Sequence, residues 1–158
     1  MDLDYLKTQV RYEDGHLYWT EYKQGRSIDL AIGSGSTDRY LSMYLDGKQY
    51  KVHRLIYLLH TGQLPEVVDH VNGNTNDNKI ENLRSSTVQT NNYNRALEST
   101  STSGVKGVCW HKRESKWRVQ VGVNGKRVTV GSFDDLELAE LVAVEYRNKH
   151  HGNFARHL

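Results

Sequence analysis

Apolar residues in this chain come in short bursts bounded by Gly, Asp or Asn, and the spacing inside the bursts changes along its length. Over residues 1–52 the bursts are β-like. Residues 16–20 (His-Leu-Tyr-Trp-Thr) follow Glu13-Asp14-Gly15, and residues 40–45 (Tyr-Leu-Ser-Met-Tyr-Leu) follow Gly33-Ser34-Gly35-Ser36. Asp46-Gly47 separates the second run from residues 48–52, a dipeptide that favours a tight hairpin turn. Leu55, Ile56, Leu58 and Leu59 are dense enough to predict a buried helix over 53–60, ended by Thr61-Gly62. Pro65 makes a rigid entry to Val67-Val68-Asp69-His70, a short strand. A loop rich in Asn, Asp and Gly follows, then a second strand through Ile80-Glu81-Asn82-Leu83-Arg84. Ser86-Thr87-Val88-Gln89 has the form of a capping box, which predicts a helix start.

After that helix, residues 95–104 (RALESTSTSG) have no apolar period and predict a linker over 97–104. Three strands follow, around 107–111, 116–123 and 127–131, with Asn124-Gly125 as a type I′ turn between the last two. Asp134-Asp135-Leu136-Glu137 caps a final helix whose apolar face is read as Leu138, Val142 and Tyr146 with Ala139 and Ala143. Alternation in the central strand sends Trp117, Val119, Val121 and Val123 toward that helix, and Arg118, Gln120 and Gly122 away from it.

At 158 residues, with 37% hydrophobic residues and a mean hydropathy of −0.73, the chain suits two small modules better than one large core. The net charge of +2 is uninformative until it is divided. Residues 1–94 carry 10 Lys+Arg against 12 Asp+Glu; residues 95–158 carry 11 against 7. Between Lys106 and Arg127 seven basic residues face a single acid, Glu114, so a basic surface is expected in the C-terminal module. The lone Cys109 excludes an intramolecular disulfide and any Cys-rich zinc site. No apolar run approaches the ~20 residues a membrane span needs, and the acidic start MDLDYLK is unlike a signal peptide. A cytoplasmic location is expected, that of a host cell if the gene is phage-borne.

The strand-loop-strand-helix order around residues 68–94 brings chemistry with it. Asp69 supplies a carboxylate and Asn91 an amide oxygen, hard donors of the kind Mg²⁺ takes in small number while keeping waters and a phosphate. A neighbouring imidazole, His70, would then be the general base. The pattern HRLIYLLHTGQLPEVVDHVNGNTNDNKIENLRSSTVQTNNYN closely resembles the HNH endonucleases of phage and homing type, with their ββα-metal fold. The resemblance implies that Asp69 and Asn91 bind one divalent metal, that His70 activates water, and that Asn82 orients His70. The last motif position is Asn here instead of His, as in many relatives. Mg²⁺ or Mn²⁺ is the expected cofactor, with no zinc site. Arg54, at the start of the 53–60 helix, is a candidate phosphate contact.

Residues 103–158 in turn resemble the AP2/ERF DNA-binding domain, through Gly107-Val108, Trp117, Gly131-Ser132-Phe133, the helical Ala139 and Ala143, and a Gly-Asn-Phe-Ala ending. That family lays its sheet in the major groove. Cys109 stands where plant members carry Arg, and Thr129 stands near a usual Trp, so their sequence preference is not carried over. Here alternation puts Arg118 and Gln120 on the DNA side, and Lys112, Arg113, Lys116, Lys126 and Arg127 cluster at hairpin ends as phosphate contacts.

The expected fold is therefore α+β. It has an N-terminal β-rich support region (1–52), a nuclease core (53–96), a linker (97–104) and a three-stranded sheet with one helix (105–158). The expected function is metal-dependent hydrolysis of phosphodiesters in double-stranded DNA by a monomer or weak dimer, targeted by the C-terminal module. The alternative is a non-catalytic DNA-binding regulator that keeps the HNH scaffold.

Overall fold

The computed structural model describes residues 2–34, 36–97 and 99–157, so Gly35 of the predicted Gly33–Ser36 turn and Glu98 of the predicted linker lie outside the described residues. The chain divides into two compact units, residues 1–86 and 87–158. The sequence reading instead puts a linker at 97–104, beyond the short helix Val88–Tyr93 that falls in the second unit.

The first unit opens with helix α1 (Leu3–Gln9), which the polar N-terminus does not announce. Asp2 caps it by accepting from the Asp4 amide at 3.0 Å, and Leu6 is its one buried residue. Strands β1 (Val10–Glu13) and β2 (His16–Trp19) form one antiparallel hairpin. Strands β3 (Ser42–Leu45) and β4 (Lys48–Lys51) form another. These are separate two-stranded ribbons, where the sequence suggests one small sheet. Both turns are Asp-Gly with positive φ at each residue, Asp14 at 43° and Gly15 at 85°, Asp46 at 51° and Gly47 at 73°, the type I′ geometry the dipeptides favour.

Helix α2 (Val52–Thr61) spans the predicted segment and stops at Gly62 in the left-handed region, whose amide returns to the Leu58 carbonyl. Val52, Leu55, Ile56 and Leu58 of α2 pack with Leu6, Val10, Leu17, Met43 and Leu45 from the ribbons. The same core takes in Val68 of strand β5 (Val67–His70) and Leu83 of strand β6 (Leu83–Ser86). Strands β5 and β6 pair antiparallel, with Asp69 opposite Arg84 and His70 opposite Leu83. No ribbon of this size stands alone; each is stable because one face is closed by α2.

The second unit begins with helix α3 (Val88–Tyr93). Its cap is Thr87, one residue beyond the predicted Ser86, and the reciprocal partner is Thr90 in place of Gln89. Strands β7 (Val108–His111), β8 (Lys116–Val123) and β9 (Lys126–Phe133) form the expected antiparallel sheet. A bulge between Val119 and Gln120 shifts the β9 register. Helix α4 (Leu136–His151), capped by Asp135, crosses one face of the sheet. Its buried residues are Ala139, Ala143, Arg147 and His151, a stripe with spacing of four. Leu138, assigned to the core from the sequence, is exposed. The small core here joins Val105, Val108, Val119 and Val121 to the two alanines, with Trp117 packed at its margin.

Candidate functional site

In the first unit the polar residues converge on the end of β5. Asp69 and His70 are both buried there, His70 with only 3% of its surface exposed. Adjacent residues on a strand point to opposite faces, so the pair serves two neighbourhoods from one backbone position. Asp69 meets Arg84, its cross-strand partner, whose Nε and Nη2 donate to Oδ2 at 3.0 and 2.8 Å. This largely buried, two-pronged ion pair aims one carboxylate oxygen firmly. Nothing in the run of residues 80–84 distinguishes Arg84 in advance; only the strand register reveals it.

His70 meets an amide. Its Nε2 lies 2.9 Å from Oδ1 of Asn78, a residue 2% exposed. With that amide oxygen as the acceptor, the bond is made by the tautomer protonated on Nε2, whose basic lone pair is on Nδ1. The resemblance assigns that orienting role to Asn82, and here the structure differs. Asn82 sits in a 3₁₀ turn (Ile80–Asn82) ahead of β6, not on the strand, and its amide braces the polar loop. Its Oδ1 accepts from the Asn72 amide at 2.9 Å, while its Nδ2 donates to Asn72 Oδ1 at 3.0 Å and to the Asp77 carbonyl at 2.7 Å. Asn72 and Asn74 cap further loop amides, at Asn74 and Asn76. The Asn-rich loop is thus a hydrogen-bonded frame, and Asn78 hangs from it into the protein beside His70.

Two further features support this frame. The β1–β2 turn packs under it: Lys79 pairs with Asp14 at 2.9 Å, and a Cβ on Gly15 would stand 3.1 Å from the Lys79 amide nitrogen. Above His70 lies a cluster of rings. His53 of α2 is buried with its ring centroid 5.0 Å from that of His70, and Tyr40 lies 5.3 Å from His53 and 6.1 Å from His70. Burial first, and then the nearby charges of His70, Arg54 and Lys51, hold His53 down at a pKa of about 3, so it is a neutral ring at ordinary pH. Arg54 is tied into the fold: Nη1 donates to the Glu66 carbonyl at 2.7 Å and Nη2 to the Pro65 carbonyl at 3.1 Å. It anchors the entry to β5, where the sequence reading gave it a phosphate.

Asn91 lies on α3, in the second unit, where its backbone N–H donates to the Thr87 carbonyl at 2.9 Å. Among the described residues no cluster of three His, Cys, Asp or Glu side chains occurs. A carboxylate and an amide oxygen are hard donors, of the type that a divalent ion retaining its waters takes.

On the open face of the second unit's sheet, opposite α4, stand Cys109, Arg118, Gln120, Arg127 and Thr129, as the register requires. Lys112, Arg113, Lys126 and Arg127 are exposed and enter no ion pair among the described residues. Lys116 and Arg118 already have partners, Asp134 at 3.1 Å and Glu114 at 2.6 Å. Glu114 also accepts from Ser132, and these donors hold its carboxyl below the usual range, the Arg118 hydrogen bond first. Gln120 donates to Thr129 at 3.1 Å.

No helix among the described residues is long and apolar enough to cross a membrane. Residues 50–93 match the family model described as HNH endonuclease, and residues 103–153 match that of the AP2 domain. The chain is 33% identical over 108 residues to Protein 3.8 of Escherichia phage T7, an alignment that covers 66% of this chain and 87% of that protein. No solved structure matches. With an HNH domain that bears the Asp69-His70 pair and an AP2 domain behind it, the chain is a DNA-binding, nuclease-like protein and belongs to the HNH endonuclease family.

Proposed function

We propose that the protein is a DNA endonuclease in which His70 is the general base and Asp69 and Asn91 hold one divalent metal, Mg²⁺ or Mn²⁺. The observation that carries this reading is the buried bond between His70 Nε2 and Asn78 Oδ1. A bond donated by Nε2 supports this reading, because it holds the ring and keeps the basic lone pair on Nδ1, as a water-activating imidazole requires. Asp69, next to His70 in the chain, has its carboxylate held by Arg84. A bound divalent ion supplies charge to the scissile phosphate and the departing 3′-oxygen. His70 takes one proton of the attacking water as its oxygen bonds to phosphorus and the P–O3′ bond breaks; the departing 3′-oxygen takes a proton from solvent, giving a 5′-phosphate and a 3′-hydroxyl. Neutral His53 adds no positive charge beside the base. The AP2 sheet selects and grips duplex DNA through Arg118, Gln120 and the basic hairpin ends.

The test is supercoiled plasmid incubated with purified wild-type and His70→Ala protein in Mg²⁺, Mn²⁺ or EDTA, with the cut ends mapped. Metal-dependent nicking or linearisation is expected, reduced roughly 10²–10⁴-fold in the variant, with DNA binding retained. One observation favours the second reading, a non-catalytic DNA-binding regulator: Asp69 is engaged by Arg84 as a structural ion pair would be. Tight duplex binding without cleavage in any metal would decide for it.

A further inference from the structure

Helix α3 is six residues long, too short to hold itself together in water, where isolated helices below about 12–15 residues are marginal. Its start is closed by the Thr87 and Thr90 side chains. Further anchors on one face of the helix come from the AP2 module. Gln89 and Tyr93, one turn apart, share that face and are bonded to each other, Nε2 to Oη at 2.7 Å. Gln89 Nε2 also donates to Oδ1 of Asn124 at 3.2 Å, and the Asn124 amide donates to Tyr93 Oη at 3.0 Å. Asn124 is the first residue of the β8–β9 turn, at a φ of 52° that asparagine tolerates.

The Tyr93 ring stacks on His151 of α4 at 3.7 Å between centroids and 4° between planes. His151 donates in turn to the Gly122 carbonyl at 2.7 Å. Beyond the helix, the Lys106 ammonium donates to the carbonyls of Tyr93 and Arg95 at 2.8 and 2.6 Å, a cation at a helix C-terminus. Arg147 holds the Lys106 carbonyl from below. Sheet, α4 and loop thus all close on one side of α3.

Asn91 lies two positions from Gln89 and two from Tyr93, which on a helix is roughly the opposite side, at about 100° per residue. The joint therefore fixes the roll of α3 and leaves Asn91 on the face turned away from it. We infer that Tyr93 and Asn124 are positioning residues for Asn91: the AP2 hairpin sets the direction in which the metal-binding amide is presented. This rests on the assignment of Asn91 to the metal. The hairpin end that grips α3 also bears Lys126 and Arg127, so the segment offered to DNA phosphates and the helix offered to the metal share one hydrogen-bonded joint. Targeting and catalysis are then mechanically linked, and the C-terminal module is a part of the nuclease as well as its tether.

Three full-length variants grade the joint. Asn124→Gly keeps the turn and loses the bond from Gln89; Tyr93→Phe loses both bonds at Oη and keeps the stack; Tyr93→Ala loses all three. Mn²⁺ binding to each protein on an uncut duplex, followed by electron paramagnetic resonance, is expected to weaken in that order. Second-shell losses of this kind commonly reach 10–100-fold, and Tyr93→Ala is expected to lie in that range while metal-free DNA affinity stays within twofold. Amide exchange in residues 88–93 is expected to quicken in the same order.

Unchanged Mn²⁺ affinity in Tyr93→Ala and Tyr93→Phe would overturn the inference, as would a loss of DNA affinity that fully accounts for lost cleavage. Asn91→Ala separates the two readings. If it leaves Mn²⁺ binding intact, the metal assignment itself fails and takes this inference with it. If it abolishes binding while the Tyr93 and Asn124 variants do not weaken it, the assignment stands and the positioning role is wrong.

Discussion

His70 and Asn78 are eight residues apart, and only one of them is conspicuous. Asp69-His70 follows two valines at a strand end, so its chemistry is legible. Asn78 is one of five asparagines between Asn72 and Asn82, and nothing in their spacing marks the one whose side chain is buried. The resemblance directs attention to Asn82, whose hydrogen bonds instead brace the loop. The two asparagines predict different phenotypes. Asn78→Leu removes the acceptor at Nε2 and frees the ring to place its proton on Nδ1, so cleavage should fall while folding and DNA affinity persist; Asn78→Asp keeps an oxygen there and should restore part of the rate. ¹⁵N shifts of the His70 ring in the full chain read the tautomer directly. An Nε2–H imidazole in Asn78→Leu with wild-type cleavage would show that Asn78 does not set it. Asn82→Ala, by contrast, should loosen the whole loop and lower thermal stability, because three bonds to Asn72 and Asp77 go at once.

Turns were the most legible elements, since each needs particular residues. Asp14-Gly15, Asp46-Gly47 and Asn124-Gly125 all adopt the positive-φ pairs their sequences favour. Helix faces were less legible. The apolar period of α4 put Leu138 inward, yet the buried stripe is Ala139, Ala143, Arg147 and His151. Small alanines let the helix approach the sheet closely, and the two polar residues are admitted because each finds a carbonyl, Arg147 at Lys106 and His151 at Gly122. Lys106 is tied down by the same packing, and burial beside Arg147, Arg156 and Arg95 lowers its pKa to about 8. Gly107 is the tightest point of this arrangement. Its φ is +79°, and an added Cβ would stand 2.7 Å from the Gln120 carbonyl oxygen, which is backbone and cannot swing aside. Its own carbonyl accepts from the Gln120 amide at 2.7 Å, so a shift of the loop would break the link to β8. Gly107→Ala should therefore destabilise the second unit by at least roughly 1–3 kcal/mol, seen as a lower denaturation midpoint. A midpoint equal to that of wild type would mean the loop can move at little cost.

At the scale of the chain, two modules and their charge division were legible from composition, and the place where packing divides was not. The Ser/Thr run of 95–104 has the composition of a linker, but α3 ahead of it has only Val88 and Tyr93 as apolar residues, too few for a period to reveal what it packs against. Its attachment is made of amides, a phenol and an ammonium, which carry no hydrophobic signature. The basic face is different, because charge is counted without knowing the fold. The structure refines it by sorting the cations. Lys112, Arg113, Lys126 and Arg127 are exposed and enter no ion pair among the described residues, whereas Lys116 and Arg118 are held by Asp134 and Glu114. If this face binds the DNA backbone, each unpaired cation that meets a phosphate releases counterions, and its removal should reduce the slope of log K against log salt by about 1. Lys116 and Arg118 must exchange a carboxylate for a phosphate, so less counterion is released on their account, and Lys116→Ala or Arg118→Ala also removes the cation paired with Asp134 or Glu114. Their variants should lose affinity with a smaller change of slope. Fluorescence anisotropy of a labelled duplex, titrated in EDTA across a range of KCl, measures both quantities. Equal slope changes at all six positions would show that the ion pairs open freely on binding. Unchanged slopes at the four exposed cations would move the DNA contact to another surface of the chain.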